Sequence, residues 1–238
     1  MPRPRNTHTR RAEIVQGLAE VMAQRGYAGA SVAAIAAQAG LSTGLVHYHF
    51  KHKRAILLAL VASLAEQILA RFEARSADLS PRVPAALNSD LDRRGPVFES
   101  KARGVVLVAR QRRATPESKT GTGEPGQNFG RQVLDAAVDA LMGLEAGDPV
   151  AAACWARIGA EAHGQPEVAQ AYTAALAQVQ RHLVRAFEAA GADDAEVAAR
   201  ALMLAIEGAW RVGHGAPSLL PTGSAAPTLR ALAHALAQ

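Results

Sequence analysis

Ile14, Leu18, Val21 and Met22 stand at i, i+4, i+7 and i+8, the spacing of one apolar stripe on a helix between Thr9 and Gly26. Gly26 supplies a left-handed stop. Ser31 then offers a capping hydroxyl, and Val32, Ile35, Ala36 and Ala39 form a second, shorter apolar face that Gly40 ends. Leu41 and Ser42 lead into a third helix from Thr43 to about His49, with Val46 and Phe50 turned back into a small core. A short helix, a glycine-containing turn and a helix with a mixed small, polar and aromatic face form the order of a helix-turn-helix. From Ala55 to Arg75, Ile56, Leu57, Leu60, Val61, Leu64, Ile68, Leu69 and Phe72 keep helical spacing through five turns, which predicts a helix joining this head to a body.

Helical stretches follow over about 129–144, 150–164, 167–190, 194–212 and 225–237, separated at Gly147-Asp148-Pro149, Gly164-Gln165-Pro166, Gly191 and Gly213 to Pro217. No stretch sustains strand alternation, so the fold class is all-α. Two units are expected, a helix-turn-helix domain over 1–54 and a helical body over 55–238. Residues 76–130 break the pattern with Pro81, Pro84, Pro96, Pro116 and Pro125, and read as an irregular insertion. Its 93–131 stretch holds nine basic and three acidic residues. It reads either as a basic loop adding a DNA contact or as an insertion without a role, and the second reading is preferred because basic irregular stretches are common.

Charge changes the picture once it is located. Residues 1–54 carry eight Lys or Arg against two acidic residues, whereas 132–238 carry six Arg against eleven acidic residues. A basic head on an acidic body is the footprint of a protein that approaches phosphates with one end. No apolar run is expected to span a bilayer, and the N-terminus lacks an apolar signal segment, so no membrane partner is expected. With a single cysteine, Cys154, a disulfide framework is excluded and a cytoplasmic location is the expectation.

The outer face of the third helix carries Thr43, Gly44, Leu45, His47, Tyr48 and His49. Small residues near its start let the backbone approach base edges, while hydroxyls such as Ser42, imidazoles and helix N-terminal amides donate to phosphate oxygens. Lys53 opens the next helix within reach of a flanking phosphate, and Pro2-Arg3-Pro4-Arg5 reads as a stiffened basic arm, with Arg3 and Arg5 toward the backbone or minor groove. His47, His49 and His52, with His8, suggest metal ligands only superficially, since residues two apart on a helix share no face and no Cys or carboxylate joins them. No metal site or other cofactor is expected. Enzyme signatures are absent too: there is no GxSxG elbow, HExxH, phosphate loop or dinucleotide fingerprint, and Cys154 lies in an apolar helix that buries a thiol without activating it.

Ser31-Val32-Ala33-Ala34-Ile35-Ala36 followed by Gly40-Leu41-Ser42-Thr43-Gly44-Leu45-Val46-His47-Tyr48-His49-Phe50-Lys51-His52-Lys53 resembles the signature of the TetR family of bacterial repressors. The resemblance implies that Thr43, Gly44, Leu45 and Tyr48 face bases, and that Ser31, His47, His49 and Lys53 mostly hold phosphates. Position 47 is usually Tyr in that family, and His47 would give its phosphate contact a pH dependence. More loosely, Ala205-Ile206-Glu207-Gly208-Ala209-Trp210-Arg211 is similar to the penultimate helix of the choline-betaine repressor subgroup. That implies a homodimer through about 194–212 and 225–237, where Ala198, Ala201, Ala205, Gly208 and Ala209 allow close packing. It also implies a palindromic double-stranded DNA operator and a small-molecule effector held by the body. Candidate effector residues are Leu141, Trp155, Ile158, His163, Tyr172, Phe187, Met203 and Trp210; each, taken singly, is more commonly core than pocket. Aromatic residues are 4% of the chain, which weighs against an aromatic cage for choline. An architectural DNA-binding protein without an effector is the alternative, since a cavity leaves no motif.

Overall fold

The computed structural model describes residues 4–79, 125–221 and 223–238. Every regular element among them is an α-helix: α1 (Pro4–Arg25), α2 (Val32–Gln38), α3 (Thr43–His49), α4 (Lys53–Leu79), α5 (Pro125–Gly147), α6 (Pro149–Ala162), α7 (Pro166–Ala190), α8 (Ala195–Gly215) and α9 (Ala225–Leu236). The all-α reading holds.

In the head, α1 packs on α2, α3 and α4. Ile14, Leu18, Met22, Ile35, Val46 and Phe50 fill the space between them, joined by Ile56 and Leu57 from α4. Both short helices are capped as their sequences require. The Ser31 hydroxyl accepts from the Ala34 N–H at 3.1 Å, and that of Ser42 from Leu45 N–H at 3.3 Å. Each cap satisfies an amide that has no partner within its helix. Between them Gly40 takes φ +65°, a left-handed conformation in which a side chain would be strained, and the Leu41 N–H returns to the Ala36 carbonyl at 2.9 Å. Helices α1 and α2 meet closely at Gly17, where an added Cβ would lie 2.9 Å from the Ile35 carbonyl oxygen.

The body surrounds a packed trio of α4, α5 and α7. Helix α6 lies against α1, α5 and α7, α8 against α6 and α7, and α9 against α5 and α8. On α9, Arg230 reaches Asp139 and His234 reaches Asp135 at 2.9 Å, so residues one turn apart on α9 meet residues one turn apart on α5.

Several boundaries differ from expectation for physical reasons. Pro4 and Arg5 do not form an extended arm; they make the first turn of α1, where proline's fixed φ and missing N–H are tolerated. Arg3 lies outside the described residues. The ends of the 76–130 stretch are helical, since α4 runs to Leu79 and α5 starts at Pro125. The remainder, 80–124, with the rest of the expected insertion and all of its basic residues but Arg131, lies outside the described residues. Helix α8 continues through Gly213 to Gly215 and stops at Ala216, whose φ −143° and ψ 66° are imposed by Pro217. A glycine costs a helix only about 1 kcal/mol, whereas the residue before a proline is pushed out of the helical region.

The expectation of no membrane-length apolar helix also needs correction. Within α4, Lys53–Arg75 is long and apolar enough to cross a membrane. Its Ile56, Leu57, Leu60, Val61, Leu64, Ile68 and Phe72 are nevertheless buried against protein, as in a core helix.

Candidate functional site

The head presents one helix outward. Thr43, Gly44, His47 and Tyr48 of α3 are exposed, Leu45 and His49 are half-buried, and Val46 alone is fully turned inward. Tyr48 is 80% exposed, unusual for a large aromatic ring in a folded chain, and packs only edge-on against His49 at 5.0 Å between centroids. A Cβ built on Gly44 meets nothing within 4 Å, so packing within the chain does not demand glycine there. Its smallness leaves the backbone open to something outside. Ser31 and Ser42 use their oxygens as acceptors and keep their O–H groups, both exposed, as donors.

The frame behind α3 is held by cations. Arg11 Nη1 donates to the His49 carbonyl at 2.6 Å, and its guanidinium lies 4.1 Å from the Phe50 ring centroid. A positive charge is thereby fixed at the C-terminal end of α3, where carbonyl dipoles favour it. Lys53 Nζ donates to the Tyr27 carbonyl at 2.9 Å and sits 4.2 Å from that ring's centroid. Lys53 is therefore half-buried and anchored, with donors left over for an external oxygen. Burial pushes the Tyr27 phenol up from its ordinary value. His52 Nδ1 accepts the Ala55 N–H at 3.1 Å at the start of α4, which places its ring proton on Nε2. Arg5 stands in the first turn of α1.

Helix α6 ties the body to the head. The Cys154 thiol donates to the Ala19 carbonyl at 3.2 Å, and Arg157 Nη1 donates to the Met22 carbonyl at 2.6 Å, both on α1. Burial pushes the Cys154 thiol up to about 12, as expected of an inert cysteine. A third link, Arg54 to Glu167 at 2.9 Å, joins the start of α4 to the start of α7.

On the other side of α6, Trp155 enters a cavity bounded by α5, α7 and α8. Its lining is Leu141, Trp155, Leu176, Val179, Met203, Ile206, Glu207 and Trp210. Four of the expected effector residues, Leu141, Trp155, Met203 and Trp210, are thus brought together. Tyr172 stands beside them, its ring 5.2 Å from that of Trp155. The other three are not in the lining: Ile158 and Phe187 are fully buried core, and His163 is exposed at the end of α6, its Nδ1 3.0 Å from the Gly159 carbonyl. Glu207 was not among the expected residues, yet it is the hub. Its carboxylate accepts from Trp155 Nε1 at 3.0 Å and from the Tyr172 hydroxyl at 2.9 Å. Burial and then the charge of Glu207 push the Tyr172 phenol upward. The signal available in sequence was the position of Glu207, three residues before Trp210 on one helix face.

Comparisons with known proteins match two stretches of the chain. The N-terminal domain of bacterial regulatory proteins of the tetR family matches residues 14–60, and the C-terminal domain of BetI-type transcriptional repressors matches residues 130–238. The HTH-type transcriptional regulator CymR of Pseudomonas putida is 39% identical over 82 residues, 32% of this chain and 40% of that protein. The fatty acid metabolism regulator protein of Bacillus subtilis (strain 168) is 36% identical over 61 residues, 26% of this chain and 31% of that protein. The matches thus span less than half the length of either relative. Over the whole fold, a transcriptional regulator from Rhodococcus sp. Rha1 superposes with TM-score 0.66 at 21% identity, covering 95% of each chain. A TetR transcription regulator from Haloarcula marismortui ATCC 43049 superposes with TM-score 0.64 at 18% identity, covering 97% of each. With its helix-turn-helix head and its helical body each matched in place, the chain belongs to the TetR family of transcriptional regulators.

Proposed function

We propose that this regulator is a cytoplasmic homodimeric repressor, not an enzyme, that grips a palindromic operator with two copies of α3 and lets go when a small molecule enters the body. The reading rests first on the outward face of α3. Thr43, Gly44, Leu45 and Tyr48 are assigned to base edges, while Ser31, Ser42, His47, His49 and Lys53 hold phosphates, with Arg3 and Arg5 beside the flanking backbone. The division into a DNA-binding unit over 1–54 and an effector and dimerisation unit over 55–238 belongs to the same proposal.

Dimerisation is supported by α8. Val197, Leu204 and Val212 are 54%, 65% and 38% exposed, a run of large apolar side chains spaced seven and eight residues apart. Such a stripe facing water is a liability unless another surface covers it. Of the small residues expected to aid that contact, Ala198 is buried in the chain's own core, Ala201, Ala205 and Ala209 are half-buried, and Gly208 is exposed. Effector release is supported by α6, which carries Trp155 at the cavity and Cys154 and Arg157 on α1. A ligand that moves α6 thereby moves the head.

The test is sedimentation of the wild-type chain and Leu204→Glu, with titration of each against an operator selected from a random duplex library. The wild type should sediment as a dimer and bind with two chains per duplex. Leu204→Glu should be a folded monomer with affinity lower by roughly a hundredfold or more, because the two half-sites are no longer engaged together. A dimeric Leu204→Glu would overturn the interface, and a wild-type monomer would overturn the homodimer.

A further inference from the structure

Glu207 is a half-buried carboxylate held among the rings of Trp155, Tyr172 and Trp210. A carboxylate has about four acceptor positions, and the Trp155 and Tyr172 donors take two of them. Among the described residues no cation pairs with it. Arg211, one turn along α8, is exposed and acts on Tyr172 only through space. Trp210 is 2% exposed, and its Nε1–H has no acceptor among the described residues. The rest of the lining is aliphatic or Met203. The lining therefore offers a carboxylate with acceptor positions to spare, an unused donor and apolar walls. A buried N–H group is normally matched, so the orphaned Trp210 donor, beside a half-buried carboxylate with acceptor positions to spare, outlines a missing partner.

Building on the effector reading above, we propose that this cavity takes a small protonated amine with an apolar body, its N–H groups on Glu207 and an acceptor atom of the ligand on the Trp210 Nε1–H. A carboxylate ligand would meet Glu207 as a like charge. A quaternary ammonium has no N–H to fill the free acceptor positions. The aromatic rings add attraction for any cation. As it stands the cavity has room for about one water at most, so a ligand must widen it. Met203 and Leu176 of the lining are half-buried, and a thioether adapts readily.

Trp155 and Trp210 are the chain's two tryptophans, so intrinsic tryptophan emission reports on this cavity alone. The full chain is titrated at neutral pH with phenethylamine, trimethylphenethylammonium, phenethyl alcohol and hydrocinnamate, while anisotropy of a selected operator is followed in parallel. Phenethylamine should change the emission saturably and bind at least about tenfold tighter than the other three. Glu207→Gln, which preserves shape and acceptor oxygen, should erase that preference. Equal or tighter binding of the acid, alcohol or quaternary ion by wild type would overturn the proposal, even if Glu207→Gln failed to fold. A preference that survives Glu207→Gln, or no emission change at all, would do the same. Release of the operator by the acid, independent of Glu207, would sink the amine and keep the effector reading. Amine binding with the operator still held would do the reverse.

Discussion

Arg11→Ala isolates the frame from the contacts. In the wild type this side chain joins α1 to the last turn of α3, donating to the His49 carbonyl at 2.6 Å and covering the Phe50 ring at 4.1 Å. A hydrogen bond from a charged donor contributes about 1.5–3 kcal/mol when sheltered. Arg11 is exposed, so solvent screening reduces that to about 1 kcal/mol. The exposed cation–π contact adds about 0.5–1 kcal/mol. The head should therefore lose about 1–2 kcal/mol. Because α3 has only seven residues, the loss falls on the order of its C-terminal turn. If DNA must restore that turn, the same energy appears in binding as an affinity about 5–30-fold lower. The assay is operator binding by fluorescence anisotropy at several salt concentrations. The plots of log affinity against log salt for wild type and mutant should be parallel and offset, because Arg11 spends its charge inside the protein. A slope flatter by about 0.9 would mean that Arg11 neutralises a phosphate, and would refute this assignment.

Lys53→Ala gives the opposite signature: its spare donors are assigned to a phosphate, so the salt slope should flatten by roughly one unit with sequence preference unchanged, and an unchanged slope would remove it from the contacts. Cys154 should resist iodoacetamide at pH 8 in the folded chain and react at once in guanidinium, since its thiolate is suppressed by burial; rapid native modification would show a looser α6 than the structure has. The same thiol links stability to pH. Its folded value lies above the unfolded one, so the unfolded chain releases the proton first and stability should fall as pH rises from about 9 toward about 12, by at most a few kcal/mol and with a Cys154→Ala chain lacking that component.

The head was legible in sequence because its cues are local. Ser31 and Ser42 cap within three residues, Gly40 turns the chain by its own conformation, and Val46 and Phe50 are set inward by helical period. The body helices were legible for the same reason, but their ends were not where Pro and Gly compete, as at Gly213 and Pro217. The cavity was half legible. Periodicity says that Trp155, Phe187 and Trp210 face inward without saying which helices they face, so Phe187 entered the general core while the two tryptophans met each other at 6.2 Å. Glu207 was missed because an isolated carboxylate on a helix reads as a solvated face. Its two donors come from 52 and 35 residues away in the chain. Likewise, the bonds of Cys154 and Arg157 to α1 each cross 135 residues, a separation that no local pattern encodes.

The central claim is that the outer face of α3 reads DNA, and the most direct measurement is a titration of Thr43→Ala, Tyr48→Ala and His47→Ala at one fixed salt concentration. Each is tested against the selected operator, its single-base variants and an unrelated duplex. Base-edge contacts discriminate by about 1–3 kcal/mol per base pair, whereas phosphate contacts weaken all sequences alike. Thr43→Ala and Tyr48→Ala should relax preference at defined operator positions, and His47→Ala should weaken operator and unrelated duplex in parallel. If His47→Ala alters base preference while Thr43→Ala and Tyr48→Ala leave it intact, α3 docks in another orientation and the assignment of its residues is wrong.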